Sequence, residues 1–416
     1  MRKRLDIAVA GAGPGGLATA LFLARQGHRV RLFERFETPQ PVGSGLMLQP
    51  TGLAVLDALG LSEGINALGS PVDRLVGTDF RSGRTVLDVS YRPLGADVHA
   101  LAVHRAALFS VLHDAVVAEG IETSVGFAVT DMSRARSGYY LHSDNRRQGA
   151  FDLIVDATGS LSRLRQFARH KPTARALSFG ALWATLPWID EGFDRRALVQ
   201  RYRKASVMIG VLPAGKQVAD GPDLAAFFWS FKTADYEAIR GAGIEAWRSD
   251  VRKYWPETEP HLANVAHFDQ LTLARYTHST LKIPAGDGIV FIGDSAHSTS
   301  PQLGQGANMA LLDAAALAWA MDSTNDIPSA LAAYAQMRRW HVRLYQFLSN
   351  VLTPLYQSDS SIYPMFRDIG AGSLGKIAPL PWLLAKLISG QLLLPHNPLL
   401  LSEKAGRGEA PGHKFV

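Results

Sequence analysis

Cysteine is absent from the 416-residue sequence. A chain without thiols cannot form disulfides, use a thiolate as a nucleophile, or hold a zinc ribbon or an iron–sulfur cluster. No metal site is predicted from the remaining residues. The lack of cysteine is compatible with a reducing compartment, and the cytoplasm is the predicted location.

Long blocks of one charge are also lacking. The net charge of +6 is spread over the chain without a run of Lys and Arg, so the sequence does not predict nucleic-acid binding. The basic residues 1–4 precede a short segment that contains Asp6, which does not fit a secretory signal peptide. No internal repeat and no low-complexity linker is visible, so several domains would have to be interleaved.

Uninterrupted hydrophobic runs are missing as well. The most apolar stretch near the C-terminus, residues 377–394, contains two prolines, Lys386 and Gly390, whereas a membrane span needs about 20 mainly apolar residues. A buried helix is favoured, and an interfacial helix in peripheral contact with a membrane is the alternative. The polar, glycine-rich residues 402–416 are predicted to form a mobile tail.

Enough apolar residues are present for a folded protein. Hydrophobic residues make up 47% of the chain and charged residues 19%, which excludes a mainly disordered or fibrous protein. At about 150 residues per domain, the length favours two or three domains.

A glycine motif stands close to the N-terminus. Its parts are a strand over residues 5–10, the GxGxxG glycines Gly11, Gly13 and Gly16, a helix over residues 17–26, a strand over residues 28–33, and Glu34. Glu34 follows Gly11 by 23 residues, the spacing typical of a strand–helix–strand unit that binds a dinucleotide. The alternative is a purely structural unit of the same shape.

Each part of this motif has a physical role in dinucleotide binding. Gly11 permits the tight turn, Gly13 lets the backbone approach a pyrophosphate, and Gly16 lets the helix pack closely on the strand. The phosphates would lie on unpaired N–H groups at the helix N-terminus, where the helix dipole favours negative charge. Glu34 would accept hydrogen bonds from ribose hydroxyls. The motif alone does not discriminate between NAD and FAD.

A second glycine-rich segment follows an apolar strand over residues 288–292. Gly293 and Asp294 end that strand, and Gly304 and Gly306 precede a long helix rich in Ala and Leu. Asp294 would lie where cofactors bind in open α/β sheets and could accept hydrogen bonds from a sugar-like chain. A helix-capping or turn role is the alternative for Asp294. The bare N–H groups near Gly306 would stabilise a negative charge.

Together with a third segment, these motifs resemble the p-hydroxybenzoate hydroxylase-like family, the group A FAD-dependent monooxygenases. Residues 152–165 are similar to the family's DG fingerprint, with Thr158 where the family usually has Asp and with Gly159 retained. In the family this segment contacts both FAD and the nicotinamide cofactor, so the departure bears more on NAD(P)H than on FAD. The matching motifs occur in family order over residues 5 to about 345.

Two shorter segments agree with this resemblance. Residues 43–52 resemble the family's loop and helix start beside the flavin, and residues 103–108 resemble the helix start whose arginine, here Arg105, meets FAD. Without the match, Arg105 would be read as a solvated helix residue. The FAD site that the resemblance implies consists of Gly11, Gly13, Pro14, Gly15, Gly16, Glu34, Arg35, Gly45, Leu46, Arg105, Thr158, Gly159, Gly293, Asp294, Pro301, Gly304, Gln305, Gly306, Ala307 and Asn308. His297 is expected to be a structural hydrogen-bonding residue rather than a catalytic base.

The implied fold is of the α/β class, with a Rossmann-like FAD-binding domain, an inserted antiparallel β-sheet substrate domain and C-terminal helices. Runs of β-forming residues over 72–91 and 178–231 fit that inserted sheet. The predicted division is an FAD-binding domain of residues 1–71, 98–170 and 275–350, a substrate-binding sheet of residues 72–97 and 171–274, a helical region of residues 351–401, and the tail.

Aromatic residues outside the motifs are assigned mainly to packing. The run Phe227-Phe228-Trp229 is interpreted as sheet core rather than pocket lining, because alternating faces of a strand must both be covered. Tyr334, Trp340 and Tyr345 of the C-terminal helical part are predicted to pack inside as well.

The family resemblance implies a function. FAD would be reduced by NADH or NADPH, and oxygen would be transferred from a flavin C4a-hydroperoxide to a small aromatic or other electron-rich substrate. No residue is predicted as a catalytic base. The alternatives are an oxidase, a Baeyer–Villiger-type oxygenase or a reductase of the same fold, and a non-enzymatic FAD-binding protein. A flavin halogenase is disfavoured because the sequence lacks a Trp-x-Trp-x-Ile-Pro segment.

Overall fold

The computed structural model describes residues 4–38, 44–360, 362–363, 367 and 377–394. Gly43 of the predicted flavin-side loop and the predicted tail over residues 402–416 lie outside the described residues.

A five-stranded parallel sheet lies at the centre of the molecule. Its strands, in order across the sheet, are β18 (Ile289–Phe291), β12 (Leu153–Asp156), β1 (Asp6–Ala10), β2 (Arg29–Phe33) and β8 (Glu122–Ser124). All four neighbouring pairs are parallel. The central strands β12 and β1 are apolar except for Asp156 and Asp6 at their ends, because both of their faces are covered, as is usual in parallel sheets. This confirms the predicted Rossmann-like arrangement.

Helices follow the strands along the chain. The described helices are α1 (Pro14–Arg25), α2 (Pro50–Ala58), α3 (Ser62–Leu68), α4 (Arg105–Ala118), α5 (Tyr236–Ala242), α6 (Ile244–Tyr254), α7 (Glu259–Leu262), α8 (Asp294–His297), α9 (Gly306–Ser323), α10 (Ile327–Tyr356) and α11 (Leu380–Ile388). Short 3₁₀ turns occur at Arg92–Leu94, Leu164–Phe167, Thr233–Asp235, Pro256–Thr258, Phe268–Gln270 and Pro301–Leu303. Among the described residues, no helix is both long enough and apolar enough to cross a membrane.

Different elements pack on the two faces of the parallel sheet. Ile7 and Val9 point into a core shared with α1, α4 and α9. Ala8, Ala10 and Phe33 point to the other face, which packs on a three-stranded antiparallel sheet. That sheet consists of β9 (Asp131–Ala135), β10 (Gly138–Ser143) and β11 (Arg146–Phe151). The alternation along β1 follows from the two-residue period of a strand.

A seven-stranded sheet forms the second large unit. Its strands, in order across the sheet, are β17 (Thr272–Thr280), β13 (Thr173–Pro187), β16 (Leu224–Lys232), β15 (Val207–Gly215), β14 (Ala197–Arg203), β5 (Arg74–Asp79) and β6 (Thr85–Ser90). The predicted antiparallel order holds except between β14 and β5, which are parallel. This exception arises because β5 and β14 come from distant segments that no hairpin turn connects. The division into an FAD-binding and a substrate-binding domain stays a prediction.

A small antiparallel sheet joins the two units. It contains β3 (Gly45–Leu48), β7 (Ala100–His104) and β4 (Ser70–Val72). A side chain at Gly45 would place its Cβ 2.6 Å from the Cβ of Ala226 on β16, so β3 lies directly against the seven-stranded sheet. Sequence patterns did not predict this connecting sheet, because its strands are short and widely separated in the chain.

Successive residues of β16 pack in two different cores, and all three of its adjacent aromatics are buried, as predicted. Phe227 and Trp229 pack outward against Trp247 of α6. Phe228 points inward and packs against Trp183, with 4.7 Å between the ring centroids. The inward face is therefore the one that is turned towards β3 and the parallel sheet.

Helix α10 carries the three aromatics that were predicted to be internal. Tyr334 and Tyr345 are buried, which confirms that prediction for both. Trp340 is 61% exposed, so the prediction is wrong for this residue. The reason is helical geometry: Arg338, two residues earlier, faces the core, and two residues correspond to a rotation of about 200°.

The apolar C-terminal stretch forms the short helix α11. Ala385 and Ile388 are buried, whereas Trp382 and Leu383 are 46% and 43% exposed. The prediction of a buried helix is therefore correct for one face only. The other face is in contact with solvent in this structure.

Candidate functional site

The N-terminal glycine motif forms the turn between β1 and α1. Gly11 has φ +101°, and a Cβ at this position would lie 2.5 Å from the carbonyl oxygen of Ala157. A Cβ at Gly16 would lie 1.9 Å from the carbonyl oxygen of Gly11. Both glycines are therefore required by packing. Helix α1 begins at Pro14, three residues earlier than predicted, and Gly15 packs on Ala310 of α9.

Glu34 lies at the end of β2 and is oriented towards the glycine turn. Its Oε2 accepts a hydrogen bond from the backbone N–H of Ala12 at 2.9 Å, and its Oε1 accepts one from Phe36 at 3.1 Å. Each carboxylate oxygen can accept a further hydrogen bond, so Glu34 can still bind a hydroxyl group. The neighbouring Arg35 is exposed, with its guanidinium 4.5 Å from the centroid of the Phe36 ring.

Asp156 organises the third segment, a role that the sequence patterns did not predict. This buried carboxylate at the end of β12 accepts hydrogen bonds from the Thr158 hydroxyl at 2.6 Å, from the Thr158 backbone N–H at 2.9 Å and from the Ser162 hydroxyl. Burial raises the pKa of Asp156, against these hydrogen bonds. The Thr158 side chain therefore stabilises the turn, and Gly159 at φ +86° stands at its outer edge.

The Gly293-Asp294 turn is tied to the Asp156 segment. Ser295 donates from its hydroxyl to the carbonyl oxygen of Asp156 at 2.6 Å. Arg165 donates to the carbonyl oxygens of Asp294 and Ser295. Two segments that are more than 120 residues apart in sequence thus form one rigid edge at the carboxyl ends of β12 and β18.

Arg105 and Asp294 carry opposite charges into this region. Both side chains are accessible to water, yet desolvation lowers the pKa of Arg105 and raises the pKa of Asp294. Each charge partly offsets the shift of the other. Accessibility together with desolvation is expected of side chains that lie deep in an open cleft.

The start of α9 borders the same cleft. Pro301 begins a 3₁₀ turn, Gly304 ends it in the left-handed conformation with φ +60°, and Gly306 begins α9. The first N–H groups of α9 have no partner within the helix. Ala307 is half-buried in this first turn.

Two predicted residues at this helix start have their side chains directed into the protein. Asn308 accepts from the Gln49 backbone N–H at 2.8 Å and donates to the carbonyl oxygens of Met47 and Gly304. Gln305 donates to the carbonyl oxygen of Ile388 at 2.7 Å. These side chains hold the helix start in place, and any contact of theirs with a cofactor stays a prediction.

Gly45 and Leu46 lie on β3. Gly45 pairs with His104 and packs on Ala226, and the half-buried Leu46 packs on the core beside the parallel sheet. The structure therefore places Gly45 where two sheets approach closely.

The cleft fits a dinucleotide of the predicted kind. A Cβ built on Gly13, Gly159 or Gly306 would meet no protein atom within 4 Å, so one glycine from each of the three separated motifs borders open space. The buried Nε2 of Gln49 has no hydrogen-bond partner and lies 3.7 Å from a Cβ built on Gly304. Bare backbone N–H groups, an accessible carboxylate and an unsatisfied donor are suited to pyrophosphate, sugar hydroxyls and a polar ring.

Comparison with known proteins identifies the family. The sequence pattern of the family described as FAD binding domain matches residues 4–345. The chain belongs to this family. The predicted resemblance to the group A FAD-dependent monooxygenases is confirmed, and so is the fold class.

Two curated relatives and one solved structure illustrate the similarity. The FAD-dependent urate hydroxylase of Klebsiella pneumoniae is 27% identical over 342 residues, covering 80% of this chain and 86% of the relative. The phenazine 1,6-dicarboxylic acid hydroxylase of Lysobacter antibioticus is 29% identical over 358 residues, covering 80% and 86%. The crystal structure of Klebsiella pneumoniae HpxO complexed with FAD and uric acid has a TM-score of 0.78 at 20% identity, covering 94% of this chain and 98% of that one.

Membership of this family supports FAD as the cofactor of the chain. The individual FAD-binding residues stay predictions. In the part of the chain that the structure describes, no group of three or more His, Asp and Glu side chains is arranged to hold a metal ion.

A buried ionic network is bonded to the backbone of the Gly293-Asp294 turn. The sequence patterns did not predict this network. Asp313 of α9 accepts from the Gly293 backbone N–H at 2.7 Å, from Arg338 Nε at 2.6 Å and lies 2.6 Å from His297 Nε2. All of these side chains are buried, and His297 has the structural contact that was predicted for it. Desolvation would raise the pKa of Asp313, but the charges of His297 and Arg338 outweigh it and hold the pKa at about 2.

His341 extends this network to the C-terminal segment and makes stability depend on pH. It is buried, accepts from Arg338 at Nδ1 and donates from Nε2 to the carbonyl oxygen of Gly390. Burial and the neighbouring charge of Arg338 lower its pKa to about 3. The unfolded chain would protonate this histidine near pH 6.5, so its contribution is complete above pH 6.5 and is lost as the pH falls towards 3.

We therefore expect the free energy of unfolding to decrease below pH 6.5, with His341 contributing about 1.4 kcal/mol per pH unit. His341→Gln keeps an amide donor for Gly390 but does not titrate, so its loss of stability between pH 7 and pH 5 should be smaller by about 2 kcal/mol. Urea unfolding from pH 8 to pH 5 measures the difference, with His170→Gln, an exposed position, as control. Parallel curves for wild type and His341→Gln would contradict the assignment.

Proposed function

We propose that this protein is an FAD-dependent monooxygenase that uses NADH or NADPH and O₂ to hydroxylate a small aromatic or other electron-rich substrate. The observation that carries the proposal is the family match over residues 4–345. It is supported by the close approach of the three glycine turns, since Gly11 lies against Thr158 and both Gly15 and Gly293 lie against Ala310. Homologues with this domain are FAD-dependent hydroxylases of aromatic substrates.

The proposed reaction is balanced by two electrons from the nicotinamide. Substrate, O₂, NAD(P)H and one proton give hydroxylated substrate, NAD(P)⁺ and water. When bound, FAD accepts hydride and activates oxygen, and the protein supplies binding, orientation and electrostatics. One atom of O₂ enters the product and the other leaves as water.

Different residues at the cleft would bind different parts of FAD. The α1 N-terminus at Gly13 to Gly16 would hold the pyrophosphate, and Glu34 would bind the adenosine ribose. Asp294 would accept hydrogen bonds from the ribityl chain. The N–H groups at Gly304 to Gly306 would stabilise negative charge on the reduced ring, because they point outward from the positive end of a helix dipole.

Arg105 is a cation whose charge acts on Asp294 in this proposed flavin site. Its guanidinium and the Asp294 carboxylate face the same cleft. Arg105 would bind the cofactor's polar groups, and its partial desolvation makes such a contact stronger than at an open surface.

The substrate class is proposed from the relatives. The curated relatives act on urate and on phenazine 1,6-dicarboxylic acid, and a small aromatic substrate is proposed for this chain. The seven-stranded sheet would cover it, with the inward face that carries Phe228 and Trp183 turned towards the flavin. The cytoplasmic location stays a prediction.

The electron donor is the least constrained part of the proposal. Thr158 stands where the family usually has Asp, and its hydroxyl is bonded to Asp156. The turn is therefore preserved without the extra carboxylate. NADH and NADPH must be compared directly.

One experiment tests the proposed function. The purified protein should be yellow with a flavin spectrum, and it should oxidise NADH or NADPH in air faster when phenols, indoles or quinolones are added. With ¹⁸O₂, the product should contain one labelled oxygen atom. A bound flavin that stays oxidised with both nucleotides would contradict the monooxygenase. Hydrogen peroxide equal to the NAD(P)H consumed, without labelled product for any substrate, would indicate an oxidase.

A further inference from the structure

Exposed apolar side chains are concentrated in the last part of the chain. Among the described residues, thirteen large hydrophobic side chains are exposed, and nine of these lie beyond residue 339. Single exposed apolar residues are ordinary, whereas a concentration of them marks a surface that binds another molecule or a membrane. The C-terminal helices therefore carry a candidate binding surface.

Three of these residues form one stripe along α10. Trp340, Phe347 and Val351 are 61%, 62% and 49% exposed. Their spacings of seven and four residues place them within about 40° of one another around the helix axis, over a length of about 17 Å. These three side chains, the α10 stripe, thus face outward together along three turns of the helix.

The charged side chains that α10 presents beside the stripe are positive. Arg339 and Arg343 flank Trp340, with their guanidinium carbons 5.1 Å and 5.4 Å from the centroid of the Trp340 ring. The helix contains no Asp or Glu. Its third arginine, Arg338, is paired with Asp313 inside the protein. The exposed surface of α10 therefore combines apolar and basic groups without acidic ones.

An open polar groove of about 200 Å³ lies beside the stripe. Its lining includes Gln346 and Asn350 of α10, which directly precede Phe347 and Val351 in the sequence. Arg175 of β13 also lines the groove and donates to the side-chain oxygen of Asn350 at 3.5 Å. Arg175 thus adds a third positive charge where the groove meets α10.

The groove has the chemistry of an anion site. None of its lining residues is acidic. Arg175 is exposed, whereas His278 and Ser279 are buried, and the His278 Nδ1 and the Ser279 hydroxyl have no hydrogen-bond partner. A guanidinium beside unsatisfied polar groups suits a phosphate ester, because phosphate oxygens can accept several hydrogen bonds together with the ionic contact.

Helix α11 extends the exposed apolar surface. Its C-terminal turn is fixed to α10 by a hydrogen bond from the Tyr345 hydroxyl to the carbonyl oxygen of Leu387 at 2.9 Å. Trp382 and Leu383 are exposed, and the Lys386 ammonium lies 4.3 Å from the centroid of the Trp382 ring. No residue of α11 is acidic. The combination of exposed apolar and basic groups on α10 thus recurs on the neighbouring helix.

We propose that the α10 stripe and the adjoining groove form a docking surface for a membrane that contains anionic phospholipids. The apolar stripe would lie at the boundary between head groups and acyl chains, and the arginines would bind the lipid phosphates. Trp340, between two arginines, suits this boundary because its ring is apolar and its indole N–H is polar.

A second copy of this chain fits the same surface less well. An isologous interface pairs a surface with itself, so a symmetric dimer that buried the α10 stripe would bring two copies of Arg339 and Arg343 into one interface. Like charges at an interface oppose association. An anionic lipid surface attracts the same arginines, which is why the charge pattern favours a membrane as the occupant.

Vesicle binding tests this proposal without any turnover. The full chain with FAD bound is mixed with vesicles of phosphatidylglycerol and phosphatidylcholine, or with vesicles of phosphatidylcholine alone, and the bound fraction is measured by sedimentation. At low salt the wild type should bind the anionic vesicles about 100-fold more tightly than the neutral ones, because three exposed arginines face the head groups. At about 0.5 M NaCl this preference should largely disappear, since salt screens the charges.

Three variants separate the apolar stripe from the charges. Phe347→Ser should weaken binding to both kinds of vesicle about tenfold, because the side chain no longer enters the apolar layer. The double variant Arg339→Gln/Arg343→Gln should weaken binding to anionic vesicles about 30-fold and leave binding to neutral vesicles unchanged. Arg175→Gln removes one charge, so its effect on anionic vesicles should be about fivefold.

Val117→Ser and Arg136→Gln are the matched controls. Val117 is exposed on α4 and Arg136 in the turn between β9 and β10, so both variants should bind vesicles like the wild type. The proposal is overturned if the wild type does not prefer anionic vesicles, if Phe347→Ser binds like the wild type, or if the controls lose as much affinity. A wild-type dimer that Phe347→Ser converts into a monomer would also overturn it, because a second copy would then cover the stripe.

Discussion

Asp294→Ala should lower the affinity of the protein for FAD by about 100-fold. The carboxylate lies in the open cleft, on a turn whose backbone is held by Arg165 and Asp313. A hydrogen bond to a charged group contributes about 1.5–3 kcal/mol, and a ribityl chain offers more than one hydroxyl. Titration of the apoprotein with FAD, followed by flavin fluorescence, measures the loss.

Two further variants test whether the effect of Asp294→Ala arises from the lost charge, from the smaller side chain or from a general loss of stability. Asp294→Asn keeps the size and one acceptor, so its affinity should lie between those of Asp294→Ala and the wild type. Asp287→Ala removes a carboxylate with 71% of its side chain exposed, six residues before Gly293, where the cleft turn starts. It should bind FAD like the wild type. Wild-type affinity in Asp294→Ala would remove Asp294 from the site.

Arg338→Met should be strongly destabilising. Arg338 and Asp313 form an ion pair at 2.6 Å with side-chain exposures of 2% and 0%. Removal of one partner leaves a buried carboxylate without one of its two countercharges, which costs about 3–5 kcal/mol. A melting temperature lower by roughly 6–12 °C is expected, measured by thermal unfolding with circular dichroism.

The double variant Asp313→Asn/Arg338→Met distinguishes an unpaired charge from lost packing. Because it removes both charges of the Arg338–Asp313 ion pair, it should be more stable than Arg338→Met alone. Arg339→Met changes the exposed neighbouring residue and should shift the melting temperature by less than about 2 °C. A double variant less stable than Arg338→Met would show that packing, rather than charge, dominates at this position.

Local sequence patterns predicted the elements that rely on short-range rules. The turn from β1 to α1 is specified by glycines whose absence of a Cβ is needed locally, as at Gly16. The strand before Gly293 and the helix after Gly304 follow from apolar runs and glycine positions. The β-forming run predicted over residues 72–91 contains β5 and β6, which pair with each other.

Other features were missed because no short pattern encodes them. Trp340 looks like a packing residue by its type, but its angular position on α10 places it in solvent. Asp156 and Asp313 occur in otherwise apolar elements and carry no distinctive spacing. Their roles become visible only when the groups that they bind, such as Gly293 and Ser162, are brought next to them.

The sequence by itself determined that the chain contains a unit of the dinucleotide-binding type and in which order its glycine-rich turns occur, because backbone conformation and helix-end chemistry at those turns depend on neighbouring residues. The tertiary structure alone decided which side chains face the cleft and which are bonded inside the protein. It also decided that α11 packs against the seven-stranded sheet at β6. Those outcomes depend on contacts between segments hundreds of residues apart, and a contact of that kind leaves no periodic trace in either segment.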